Sequence, residues 1–157
     1  MVLMSVSTMA IIAVFVYIKR QTVHSRRKEK LFRKLKMIAA ITKLNIIKTD
    51  YFSHKLLALD LLGQKLVFLD YHNYENNIII DLDEVEECKL IAKRLTIQLE
   101  IIFKDPFKSP YSIVFYQKFV SPEVLRRHLT RKSRQWKKKI SDILSNNLKP
   151  AKFDLSY

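Results

Sequence analysis

Between residues 45 and 120 the hydrophobic pattern of this 157-residue chain changes period, and that change restricts its fold more than any other feature. In 95–104, Ile97, Leu99, Ile101 and Phe103 fall on one side, with Thr96, Gln98 and Glu100 on the other. An extended chain sends successive side chains to opposite faces, so this alternation predicts a half-buried antiparallel strand. Segments 54–62 and 65–71 are rich in Leu, Val and Phe and flank Gly63-Gln64, a hairpin signal in which Gly63 is expected to supply a positive φ. The polar run 72–77 predicts a loop, followed by strands over 78–82 and 85–93. Pro106 and Pro110 bracket another loop before a strand at 111–118. That makes six strands, with a seventh candidate at 46–52. Their short connections favour a meander, because parallel strands need crossovers of a dozen residues or more.

Helical periodicity bounds this region on both sides. Ser121-Pro122-Glu123 predicts a helix start, with a capping hydroxyl, Pro at the first helical position and an acid at the positive end of the dipole. Leu125, Leu129, Trp136, Ile140 and Ile143 then form one stripe, with Ser133 within it. Trp136 is expected in the core. Arg126, Arg127, Arg131 and Arg134 lie on other faces as a basic binding face. Asn146-Asn147 and Pro150 end the helix, leaving 147–157 as a flexible tail.

At the other end, residues 1–18 carry no charge. As a helix they span about 27 Å, close to a hydrocarbon core of about 30 Å. Lys19, Arg20, Arg26, Arg27 and Lys28 follow. A cleaved signal peptide places its positive charge before the apolar run, so this order predicts a transmembrane segment. The positive-inside rule puts the N-terminus outside and the rest on the cytoplasmic side of the inner membrane. Residues 19–44 then form a basic juxtamembrane helix with a short seam of Leu31, Leu35 and Ile38. Lys19, Arg20, Arg26, Arg27, Lys28, Arg33 and Lys34 are its candidates for contact with anionic lipid, each contributing about 1 kcal/mol near such a surface.

The formal charge of +14 is unevenly placed. Residues 19–43 hold ten basic side chains and one acid, and 122–157 hold ten and three. Residues 44–121 hold nine basic and eleven acidic ones, so a mildly acidic middle separates two basic ends. Nucleic-acid binding is the alternative that such a charge invites, but topology explains the first basic block and no aromatic strand interleaved with Lys and Arg appears. One glycine cannot build a phosphate cradle or a dinucleotide turn. Cys88 alone supplies neither a disulfide nor a cysteine zinc site, and Glu86 and Glu87 beside it argue against a nucleophilic thiolate. The histidines at 24, 54, 72 and 128 show no ligand spacing. The acids Asp81, Asp83, Glu84, Glu86 and Glu87 lack the glycine of a divalent-cation loop. Asp60 and Asp70 could face each other across a hairpin, with nothing to complete a catalytic pair. No catalytic, cofactor or metal residue is assigned, and no small-molecule substrate is inferred.

A meander of six or seven strands closed by one amphipathic helix bearing a Trp resembles the pleckstrin-homology-like (PH-like) barrel. The resemblance is carried by 55–71 (KLLALDLLGQKLVFLDY), 80–90 (IDLDEVEECKL) and Trp136, and covers residues 45–146. More narrowly, the chain resembles bacterial proteins that join one membrane span to such a domain. The resemblance implies an α+β fold: an antiparallel, partly open barrel capped by the last helix. Phosphoinositide-binding members cluster Lys and Arg on the first hairpin. Here that turn holds Lys65 alone, so specific headgroup binding is not implied. What remains is a non-enzymatic, protein-binding or scaffolding module at the membrane face, with Tyr71, Tyr74, Phe107 and Tyr111 as loop aromatics for a partner.

Overall fold

The structure, a computed structural model, describes residues 2–75 and 77–147. The side chains of 1–18, 20, 21 and 147 are outside the described set, as is the expected tail beyond residue 147. The fold is α+β. A first helix, α1 (Val2–Thr42), leads into strands β1 (Ile46–Phe52), β2 (Lys55–Asp60), β3 (Lys65–Asp70), β4 (Ile78–Asp81), β5 (Val85–Ala92), β6 (Thr96–Phe103) and β7 (Tyr111–Gln117). A second helix, α2 (Arg126–Asn147), closes the chain. The strands pair in sequence order, antiparallel throughout, as sheets β1-β2-β3-β4 and β5-β6-β7. That is the expected meander, in an arrangement consistent with a partly open barrel. Register shifts place one extra residue in each of β1, β5 and β7, as β-bulges do.

One core fills the space between the sheets and α2. Leu57, Leu59, Leu66, Phe68 and Ile80 from the first sheet meet Ile97, Leu99, Ile101, Ile113 and Phe115 from the second. From α2 come Leu129, Trp136, Ile140, Ile143 and Leu144. Phe52 and Phe115 stack across the sheets with centroids 4.3 Å apart. Ser133 is buried on the helix stripe because its hydroxyl donates back to the Thr130 carbonyl.

A second core lies on the outer face of the first sheet. Leu56, Ala58, Val67 and Leu69 point away from the first core, and Leu31, Leu35 and Ile38 of α1 cover them. The short seam therefore packs on the strands. Among the described residues no helix is long and apolar enough to cross a membrane. The side chains of the span expected at 1–18 lie outside those residues; in backbone terms that run is the first half of α1.

Two local expectations need correction. Gly63 does not have a positive φ; Gln64 does, at 48°. Glycine serves close approach here: its N–H donates to Asp60 Oδ1 at 2.9 Å, and a Cβ would force the Asp60 carboxylate to shift. The start of the last helix also differs. Ser121 does not cap it; Pro122 is extended and precedes a 3-10 turn at Glu123–Leu125. Glu123 instead accepts hydrogen bonds from the Tyr116 hydroxyl and from Arg126 at 3.3 Å. The Tyr116 bond holds the Glu123 carboxyl below its ordinary pKa and raises that of the phenol.

Candidate functional site at the α1 junction

The β1–β2 turn is Ser53-His54, with φ of 43° and 63°. Both central residues of a type I′ turn need positive φ, which side chains other than Gly, Asn and Asp resist. His54 is thus a strained turn residue rather than the first residue of a strand, and its ring is held on two sides. Arg27 Nη1 lies 3.4 Å from Nε2, and the Tyr51 hydroxyl lies 3.2 Å from Nδ1. A guanidinium can only donate, so Nε2 accepts and Nδ1 carries the proton toward Tyr51. The imidazole is neutral in this arrangement. Burial, then Arg27, His24 and His72, lower its pKa, while Asp70 opposes them.

His24 and His72 complete a cluster that sequence spacing did not reveal. Each ring centroid is 5.7 Å from that of His54, edge to face, and His24 stands 5.3 Å from Tyr51. The three histidines come from α1, from the β1–β2 turn and from the loop after β3, at one end of the first sheet. Among the described residues no group of three His, Cys, Asp or Glu side chains is placed to hold a metal ion. The cluster forms one wall of a cleft of about 420 Å³. Its other lining residues include Lys55, Asp70, Val120, Pro122 and Leu125. Lys55 donates to the Val114 carbonyl at 3.0 Å and lies 3.8 Å from Asp70, tying the two sheets at the cleft floor. Burial lowers its pKa, against the pull of Asp70.

Further along α1, basic side chains meet aromatic faces. Arg27 lies 5.2 Å from the Tyr71 ring centroid. Lys30 and Lys34 stand 4.4 and 4.0 Å from that of Tyr74. Lys34 is buried, and that burial lowers its pKa, with Glu75 opposing and Lys30 adding to the effect. Such contacts contribute about 0.5–2 kcal/mol, more as they are desolvated. Tyr71 and Tyr74 are thus half-buried in the seam with α1. Of the other candidates for lipid contact, Lys19, Arg26, Lys28 and Arg33 are exposed, Arg27 is half-buried, and the Arg20 side chain lies outside the described residues.

Elsewhere the candidates scatter. Tyr111 is half-buried with its ring 6.2 Å from Phe68. Phe107 is 96% exposed on a loop fixed by its own N–H to Asp105 Oδ1 and by Lys108 to Glu84. Arg127, Arg131 and Arg134 are exposed along α2, and Arg126 pairs with Glu123. Asp60 and Asp70 face Lys65 and Lys55 across their hairpin and so stand at opposite ends of it. Cys88 is buried, and burial, ahead of Glu87, pushes its thiol up to about 12. Asp81 caps the 3-10 turn Leu82–Glu84 by accepting the Asp83 N–H.

The residue missed in the sequence is Asp50. It accepts Trp136 Nε1–H at 2.8 Å and Lys132 Nζ at 3.0 Å, fixing α2 to β1. A buried indole N–H needs an acceptor, so Trp136 signalled that one existed without saying where. Comparison with protein-family models, curated proteins and solved structures returns no match.

Proposed function

We propose that this is a non-enzymatic, single-pass membrane protein whose PH-like domain stands on the cytoplasmic face and serves as a protein-binding or scaffolding module. One observation carries the reading. The helix that begins in the uncharged run continues unbroken to Thr42, and its basic half is packed on the first sheet through Leu31, Leu35 and Ile38. A domain joined this way is held at a set distance and orientation from whatever residues 1–18 enter, as a positioning module requires. The strand order, the Trp-bearing last helix and its place across the sheets support the PH-like assignment. Lys19, Arg26, Lys28 and Arg33 remain exposed for anionic lipid.

Membranes from cells expressing the full chain, washed in alkaline carbonate, test the attachment. The protein is expected to stay in the pellet, with its domain protected from protease added to intact spheroplasts. Release into the wash overturns the span. Crosslinking in those membranes tests the scaffolding half: a discrete adduct is expected, weakened by Phe107→Ser. Recovery of an uncrosslinked monomer alone overturns it.

A nucleic-acid reading has one observation in its favour, the exposed Arg127, Arg131 and Arg134 along α2. Gel-shift titration of the detergent-solubilised chain at low salt decides it, because phosphate-driven binding is strongest there. No shift removes this reading.

A further inference from the structure

The connection from β7 to α2 exposes apolar side chains to an unusual degree. Phe119 is 86% exposed, Val120 75%, Val124 87% and Leu125 41%, all within seven residues. Singly such residues are ordinary; a cluster on one turn marks a contact surface. The turn is also held in shape. Val120 and Ser121 N–H groups donate to the Gln117 carbonyl at 3.0 and 2.8 Å, and the Leu125 N–H donates to that of Pro122 at 3.0 Å. Glu123 is fixed by Tyr116 and Arg126. The backbone therefore presents these side chains outward and does not let them fold back onto the core.

Two observations say what covers them. The first is position. Val120, Pro122 and Leu125 line the same cleft as His24 of α1. His24 is six residues beyond the uncharged run, about 9 Å along a helix. The Leu62 turn lies at the other end of the sheet, because α1 passes His54 first and delivers the chain to β1 opposite Asp60. The second is charge. Lys118, Arg126 and Arg127 flank the apolar group, and Lys118 lies 5.7 Å from the Phe119 ring centroid. The acid within the group, Glu123, is paired with Arg126, so apolar side chains bordered by Lys118 and Arg127 suit an anionic lipid surface, with hydrocarbon below and phosphates at the rim.

We propose that the connection 118–127 is an interfacial wedge: Phe119, Val120 and Val124 enter the boundary between headgroups and acyl chains, while Lys118 and Arg127 meet lipid phosphates. The wedge rests on the reading of residues 1–18 as a span, and it supplies a second point of contact. Two contacts fix the tilt of the domain on the membrane, which a single helix leaves free. The apolar turn is thereby explained without a protein partner.

The test uses the full chain reconstituted in phosphatidylcholine vesicles containing phosphatidylglycerol. An environment-sensitive dye is attached at Val124→Cys or, separately, at the exposed control Leu62→Cys; the native Cys88 is buried, and the unsubstituted chain serves as the blank. Carbonate extraction of the same vesicles reports the span. Retained protein whose dye at 124 shifts to the blue and is quenched by doxyl lipids, with the dye at 62 unchanged, supports the wedge. Adding Phe119→Ser is expected to reduce that quenching. Retained protein whose dye at 124 behaves as in water overturns the wedge and leaves the span standing. A protein-binding turn would give this second result. Protein lost to carbonate overturns the span, and the wedge with it.

Discussion

Asp50 takes two donors from the last helix, and removing its carboxylate leaves one of them, the fully buried Trp136 indole, without an acceptor. A stranded buried donor costs about 1–3 kcal/mol, so Asp50→Ala is expected to lower stability by that order in denaturant titration in detergent. Asp50→Asn keeps one oxygen and should lose less. Gly63 makes a different demand, since any side chain there collides with the Asp60 carboxylate, itself buried. Gly63→Ala is expected to destabilise by about 1–3 kcal/mol, within the usual range for a forced shift in packed structure. The double variant Asp60→Ala/Gly63→Ala checks the cause. With the carboxylate gone, the alanine at 63 should add little, so the two losses combine less than additively. The glycine was visible in the sequence as a turn residue, but its reason was not: a side chain three positions earlier folds back under it.

At the level of elements, the strands were legible wherever one face alone is covered. The alternation in 95–104 returns as β6, buried at Ile97, Leu99, Ile101 and Phe103. In 55–60 alternation was missing, and the structure supplies the reason: β2 is covered on both faces, by the core between the sheets and by α1. A continuous apolar strand and a helical seam too short to act alone were complementary signals. The histidine cluster was illegible because its members lie on three elements and converge only at their ends. It yields a pH dependence whose sign follows from His54. Its folded pKa is depressed, so below about pH 6.5 the unfolded chain binds more protons than the folded one. The stability it contributes is present above that pH and is lost as pH falls toward the folded value. Protonation places a cation facing Arg27 and His24 of α1, Lys55 of β2 and His72, with Tyr51 beside it and Asp70 alone opposing among these groups. Hydrogen exchange along residues 22–42 should therefore quicken as pH falls below about 6.5, after correction for intrinsic rates. His54→Gln, which cannot titrate, should flatten that change; an unaltered pH profile in the variant would assign it to other groups.

For the whole molecule, the consequence is where the folding unit begins. Strand pattern alone places the domain at 45–146, whereas the second core draws Leu31, Leu35 and Ile38 from the preceding helix. Cutting the chain at residue 45 leaves Leu56, Ala58, Val67 and Leu69 facing water as one contiguous patch on a sheet. Surfaces of that kind associate. Phe52, Leu57, Trp136 and the rest of the core between the sheets lie on the other side and are untouched by the cut, so the fragment retains a means to fold. A fragment of residues 45–147 is therefore expected to keep its strand circular dichroism but to self-associate in sedimentation. One beginning at residue 22 should sediment as a monomer. If both are monomeric, α1 covers the sheet without being needed there, and the basic helix is a tether. If only the longer one is, the helix belongs to the domain, and a turn of α1 cannot leave the sheet without exposing that patch. The direction in which residues 2–18 of α1 leave the domain would then be set by the fold, through a helix that is part of its core.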